Sequence, residues 1–177
     1  AFGGSRGARS INRALLAALP KLLEVMHVIH ITGTLDWPEV EKVRKNLPKW
    51  HKARYHASPY LHEEMGGALA AADMAVSRAG ASVLGEYPHF ALPSILVPYP
   101  HAWRYQHINA EYLESQGAAV VLPDDTLSES MAAEVLALMG DKPRRKDMSR
   151  VLEKINQKNS ALKLAREVVA AAKEGPR

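Results

Sequence analysis

Three loops hold the residue types that could do chemistry. The first, Gly3-Gly4-Ser5-Arg6-Gly7-Ala8, lies between a short apolar stub, Ala1-Phe2, and an apolar-periodic segment that begins at Ser10. Glycines let a backbone approach a phosphate, and free N–H groups at a helix start attract an anion. The spacing is not G-x-G-x-x-G, and no Gly-Lys-Ser/Thr follows, so neither the dinucleotide fingerprint nor the P-loop is matched. A tight strand-to-helix turn with no ligand explains the same residues equally well. The second loop, Ser77-Arg78-Ala79-Gly80-Ala81-Ser82, is another strand–turn–helix junction. Gly80 would permit the turn, and Ser82 would cap the helix or bond a phosphate. Arg78 would clamp a phosphate or tie loops together. Glu86 falls one turn into the helix, where a carboxylate accepts ribose hydroxyls in dinucleotide folds or simply favours the helix dipole.

The third loop, His101 to Asn109, follows the apolar run Ser94 to Pro98 and is crowded with aromatics and hydrogen-bonding side chains, Gln106 among them. That composition suits sugar recognition. The three loops together suit a sugar nucleotide: phosphates at the helix starts, ribose on Glu86, sugar at the Gln106 loop. The His101–His107 spacing is no metal pattern, and no carboxylate pair accompanies it. The remaining histidines, His27, His30, His51, His56, His62 and His89, are scattered and read as surface or strand residues without chemistry. No Ser-His-Asp set or paired carboxylates stand out.

The elements that would position these loops alternate. Strands are expected at His27–Thr32, Ala53–Ala57, Met74–Ser77, Ser94–Pro98 and Ala118–Leu122. Helices are expected at Ser10–Glu24 (with Pro20 kinking it or starting a new turn), Trp37–Lys45, Glu63–Ala72, Ser82–Tyr87, Gln106–Ser115, Ser128–Met139, Lys146–Ile155 and Ser160–Lys173. Such alternation implies an α/β fold with a parallel sheet and helices on both faces. Ligands then bind at the carboxyl ends of the strands, where all three loops fall. Ala1-Phe2 reads as the last turn of a longer strand, so the first strand is expected to be truncated.

Composition excludes several classes. The 177 residues contain no cysteine, which removes disulfides and thiolate metal sites. No apolar run reaches the roughly 18–20 residues that span a bilayer. The net charge of +4 is mildly basic. The densest basic run, Lys142 to Arg150, carries no interleaved aromatics, so it reads as a solvated loop and helix face and no nucleic-acid partner is expected.

The motifs GGSRGA and SRAGAS, the following Glu86, and LPSILVPYPHAWRYQHINAEYLESQGAA resemble the C-terminal half of MurG-type N-acetylglucosaminyltransferases. The resemblance covers nearly the whole chain, including the specific run AAADMAVSRAGAS. It implies the Rossmann-like C-terminal half of a GT-B glycosyltransferase, residues 1–177 forming one donor-nucleotide-binding domain whose N-terminal acceptor domain is absent. It implies an inverting transfer of GlcNAc from UDP-GlcNAc to undecaprenyl-diphospho-muramoylpentapeptide. By position, Gly4, Ser5 and Gly7 would meet the diphosphate, and Glu86 the ribose hydroxyls. Gln106, with Tyr105 beside it, would meet the GlcNAc hydroxyls. The Tyr60-Leu61 backbone would meet the uracil, while Arg78, Gly80 and Ala81 shape the same pocket. No metal and no cofactor are expected, and no catalytic residue in this chain, the general base belonging to the missing domain. The full-length protein would be cytoplasmic, peripheral to the inner face of the cell membrane, and the fragment alone inactive in transfer. The pattern departs from the family near Trp103, where many members carry an acidic residue. The alternatives are a donor-binding subunit of a split two-chain transferase and a non-catalytic UDP-sugar-binding module.

Overall fold

The computed structural model describes residues 1–4, 7–101 and 105–174. Its strands are β1 (Val28–Ile31), β2 (Tyr55–Ser58), β3 (Ala75–Ser77), β4 (Ser94–Leu96) and β5 (Ala119–Val121). All pair in parallel: β1 with β2, and β4 with both β3 and β5. Phe2 joins the two groups by parallel bridges to Ile31 and Ser77. Counting Phe2 as the first strand, the sheet order is 3-2-1-4-5-6, the doubly wound arrangement, and it reverses between Phe2 and β3. The expected α/β architecture is thus the one observed.

The helices among the described residues are α1 (Arg9–Val25), α2 (Trp37–Asn46), α3 (Lys49–Lys52), α4 (Met65–Ala71), α5 (Val83–Phe90), α6 (Tyr105–Ser115), α7 (Leu127–Gly140), α8 (Lys142–Ile155) and α9 (Ser160–Glu174). Strand residues alternate between the faces. Val76 and Ile95 pack with Leu15, Leu19 and Leu22 of α1 and Met131 and Val135 of α7. Ala75 and Leu96 pack on the other side with Val83 and Tyr87 of α5, Ala110 and Leu113 of α6, and Leu152 of α8. Both faces of the sheet are therefore covered, as a parallel sheet requires.

Several boundaries differ from the sequence expectation. Pro20 lies inside α1, which continues as one helix to Val25. Pro88 does not stop α5; the helix absorbs the lost backbone bond and ends when Ala91 turns left-handed at φ 48°. Helix α8 starts at Lys142, four residues early. Asp141 accepts a hydrogen bond from the Arg144 N–H at 2.9 Å, and Pro143 sits in the first turn, where no amide is needed. Helix α7 starts at Leu127, one residue before the expected Ser128, with Thr126 at its N-cap. The single turn α3 has no periodic apolar signal and was not expected.

Candidate functional site

At the point where the strand order reverses, the two glycine junctions leave neighbouring strands side by side. Gly7 has φ +79°, and a Cβ there would lie 2.2 Å from the Thr32 carbonyl oxygen, so only glycine fits. The Gly7 N–H donates to the Gly4 carbonyl at 2.9 Å, closing the turn before α1. Ser5 and Arg6 lie outside the described residues. Ala8 is the N-cap of α1 and supplies no side-chain cap. The first N–H groups of a helix have no partner within it, and those of Arg9, Ser10 and Ile11 have no backbone partner among the described residues, so they can face an anion at the crevice.

Arg78 takes the second of its two expected roles: it ties loops together. Its Nη1 donates to the carbonyls of Val97 (3.1 Å) and Pro98 (3.3 Å) and to Asp124 Oδ1 (2.5 Å). Its Nη2 donates to Ser10 Oγ at 2.7 Å, and that hydroxyl donates onward to Asp124 at 2.6 Å. The guanidinium also lies 5.1 Å from the centre of the Tyr99 ring. Turned inward and little exposed, Arg78 is no free phosphate clamp. It joins the ends of β3, β4 and β5 to the first turn of α1. It also neutralises Asp124, a carboxylate that would otherwise repel an anion there.

Ser10 and Asp124 went unnoticed in the sequence. Asp124 follows β5, and every loop after a parallel strand reaches the ligand-binding edge. That rule applied to the last strand would have found it.

Glu86 stands in the first turn of α5, half-buried, and makes no ion pair among the described residues. It lines an open groove of about 500 Å³ with Ala81, Ser82, Gly85 and, across from them, Asn156 and Gln157. Ser82 is the N-cap of α5 but makes no side-chain cap bond, and it is exposed to the groove. Gly80 differs from the expectation. Its φ is not positive, and a Cβ there would meet nothing within 4 Å. The turn does not need glycine at this position; it leaves open space instead.

Behind the groove, Ser77 Oγ donates to the Arg78 carbonyl at 2.9 Å. Its one proton is thereby spent, so in the 2.5 Å contact with Tyr87 the tyrosine O–H donates. Burial holds the Tyr87 phenol far above its ordinary range, so it stays a neutral donor that fixes α5 to the end of β3.

Gln106, in the first turn of α6, accepts from the Tyr99 N–H through Oε1 at 2.9 Å. That bond sets the amide orientation and leaves Nε2 as its donor end. Asn109 donates to the Ala79 carbonyl at 3.0 Å, holding α6 to the Arg78–Ser82 loop. Tyr105 is well exposed at the helix start. Trp103 and Arg104 lie outside the described residues. Tyr60 and Leu61 follow β2, two strands from Phe2, which is roughly 10 Å across the sheet. The Tyr60 ring packs 4.7 Å from that of His62, and Leu61 lines a separate groove against α4. The structure thus brings Gly4, Gly7, Arg78, Gly80, Ala81, Glu86 and Gln106 to one connected edge. Tyr60 and Leu61 stand at its far end.

Among the described residues no three His, Cys, Asp or Glu side chains cluster as metal ligands. No helix among them is long and apolar enough to cross a membrane.

Residues 1–167 match the glycosyltransferase family 28 C-terminal domain. The chain is 39% identical, over 92% of its length, to the UDP-N-acetylglucosamine–N-acetylmuramyl-(pentapeptide) pyrophosphoryl-undecaprenol N-acetylglucosamine transferase of Roseiflexus sp. (strain RS-1). It is 40% identical, over 98% of its length, to the enzyme of the same name from Chlorobium luteolum. It covers 41% and 46% of those proteins, so it spans somewhat less than half the length of the curated relatives it matches. Among solved structures it resembles Acinetobacter baumannii MurG (TM-score 0.80, 24% identity, 95% of this chain and 48% of that one). It also resembles the calicheamicin glycosyltransferase CalG4 (TM-score 0.71, 22% identity, 93% of this chain and 40% of that one). The fold is therefore that of the C-terminal half of a GT-B glycosyltransferase, and the chain belongs to glycosyltransferase family 28, as its C-terminal domain.

Proposed function

We propose that this chain is the UDP-GlcNAc-binding domain of the transferase that moves GlcNAc onto undecaprenyl-diphospho-muramoylpentapeptide. The observation that carries the reading is that, at the strand-order reversal, a helix start without a side-chain cap lies beside the junction that leads to Glu86, the two joined by the Arg78–Ser10 hydrogen bond. That is a phosphate site beside a carboxylate able to hold a diol. The relatives' names supply the identity of the nucleotide sugar.

In this reading the diphosphate lies against Gly4, Ser5, Gly7 and the first amides of α1. Glu86 accepts the ribose hydroxyls, and Gln106, with Tyr105 beside it, binds the GlcNAc hydroxyls. Tyr60 and Leu61 present backbone to the uracil. The acceptor hydroxyl attacks the anomeric carbon from the face opposite the diphosphate. A new C–O bond forms as the bond to the β-phosphate breaks, UDP departs with the electron pair, and the configuration inverts. The chain's own part is electrostatic. Fixed helix-start amides stabilise the charge growing on the leaving diphosphate, with neither metal nor cofactor invoked. The general base that takes the acceptor hydroxyl's proton, and the site for the lipid-linked acceptor, belong to a further domain, and with it the protein works at the cytoplasmic face of the membrane.

Calorimetric titration with UDP-GlcNAc, UDP and ADP tests the reading. UDP ligands are expected to bind and ADP to bind at least tenfold more weakly. Absence of UDP and UDP-GlcNAc binding at millimolar ligand would remove the donor assignment. Equal affinity for ADP would leave a generic nucleotide module.

A further inference from the structure

While Arg78 holds one side of the first turn of α1, the other side is held by buried polar groups that the donor reading leaves unused. Asn12, in the second turn of α1, is 1% exposed, and His30, in the middle of β1, is 0% exposed. Asn12 Nδ2 donates to the Thr32 carbonyl and to Asp36 Oδ2, both at 2.8 Å. Both partners are pure acceptors, so the amide has one orientation only and its Oδ1 faces His30 Nε2 at 2.9 Å. The proton of His30 must then sit on Nε2. Nδ1 is left as an acceptor, and it takes the Tyr55 O–H at 2.7 Å. Burial, with the Ala1 amino terminus adding to it, lowers the His30 pKa to about 3, so the ring stays neutral and the tautomer persists. Arg9, the first residue of α1, closes the chain by donating Nε to Asp36 Oδ1 at 2.9 Å.

The Thr32 carbonyl is the junction. It accepts from Asn12, and it is the atom against which Gly7 is packed too tightly for any side chain. Loss of the Asn12 bond frees that carbonyl, the glycine turn resting on it, and the helix start that follows. Resting on the donor-domain reading, we propose that Asn12 is a positioning residue for the donor diphosphate, locking the glycine turn and the first amides of α1 to the end of β1 through Thr32, with His30 and Tyr55 fixing its orientation. It touches no ligand. Its effect is preorganisation of the amides that do.

The test compares UDP with uridine, which lacks phosphates, on the parent chain, Asn12→Ala and Tyr55→Phe. Folding is checked by circular dichroism, and hydrogen exchange is followed at the amides of residues 7–12. Asn12→Ala is expected to weaken UDP about tenfold and uridine less than twofold, and to speed exchange in the turn but not in α5. Tyr55→Phe, the milder change, should weaken UDP about threefold with the same selectivity and decides the matter if Asn12→Ala does not fold. If the parent binds UDP and a folded variant binds it equally well, or loses UDP and uridine by the same factor, the proposal is wrong. A purely structural role predicts that second pattern. A parent that binds no UDP overturns the donor reading, whatever the variants do. In that case unchanged exchange at residues 7–12 would also dispose of the lock, and faster exchange would leave it standing without a ligand.

Discussion

Gly7→Ala and Gly80→Ala should have opposite consequences, although both glycines sit in loops facing the same crevice. At Gly7 the backbone is left-handed, and a methyl would lie 2.2 Å from the Thr32 carbonyl oxygen. The left-handed conformation alone costs a non-glycine residue about 1–2 kcal/mol. The overlap is with backbone rather than a flexible side-chain end, so the turn must move. Strain of that kind adds about 1–3 kcal/mol. A total near 3 kcal/mol corresponds to a Tm about 6–12 °C lower for a domain of this size. Gly80 has ordinary φ and empty space around its Cβ position. Alanine there should be neutral, or stabilising by about 0.4–1 kcal/mol through the unfolded chain. In the proposed site the donor occupies that space, so on that reading Gly80→Ala should weaken UDP at least tenfold in a protein that melts no earlier than the parent. Thermal melts paired with calorimetric titration read both quantities. A Gly7→Ala protein as stable as the parent would refute the steric argument. A Gly80→Ala protein binding UDP normally would place the donor elsewhere.

Other perturbations separate the remaining groups. Arg78→Met removes four hydrogen bonds and strands Asp124, so it should destabilise the chain by about 2–4 kcal/mol. The double change Arg78→Met with Asp124→Asn should recover part of that loss in urea melts, and no recovery would mean the pair is not what matters. Glu86→Gln should leave stability unchanged and weaken UDP and UMP by the same factor, roughly 1.5–3 kcal/mol in titration; equal affinity in the variant and the parent would remove Glu86 from the site. His30 is neutral when folded, with a pKa of about 3, but takes a proton near pH 6.5 when unfolded. The unfolded state therefore binds more protons between these values, and stability falls as pH falls through that window. His30's share of the loss between pH 7 and pH 5, above most carboxylate titration, should be about 2 kcal/mol, read in urea melts as the difference between the parent and His30→Gln; the buried Ala1 amino group, lowered to about 5, adds a loss of the same sign. A flat profile there would contradict the burial of a neutral imidazole.

The order of strands and helices was legible because it rests on local signals: apolar runs and glycine junctions. The two strand–turn–helix junctions and the place of Glu86 in the first turn of α5 were legible for the same reason, each junction lying just after a strand. What escaped was long-range pairing. Nothing near Arg78 in the chain says that its partners are Ser10 and Asp124, which lie 68 and 46 residues away. His30 read as an unremarkable strand residue because burial depends on the helix laid over it, and Asn12 lies on that helix. Gly80 carried the opposite lesson. A glycine in a loop suggests a special backbone angle, but here φ is not positive and a side chain would meet only open space. Helix α3 is one turn long and too short to show a period.

The central claim is that the donor lies across the strand-order reversal, between the glycine turn before α1 and the start of α5. Amide chemical-shift mapping of the chain titrated with UDP-GlcNAc tests it most directly. The account predicts the largest shifts at Gly4, Gly7, Arg9 to Ile11, Ala81 to Glu86 and Gln106, with β5, α7 and α8 unmoved. Shifts concentrated on the opposite end of the sheet, around His27 and Met74, would contradict it.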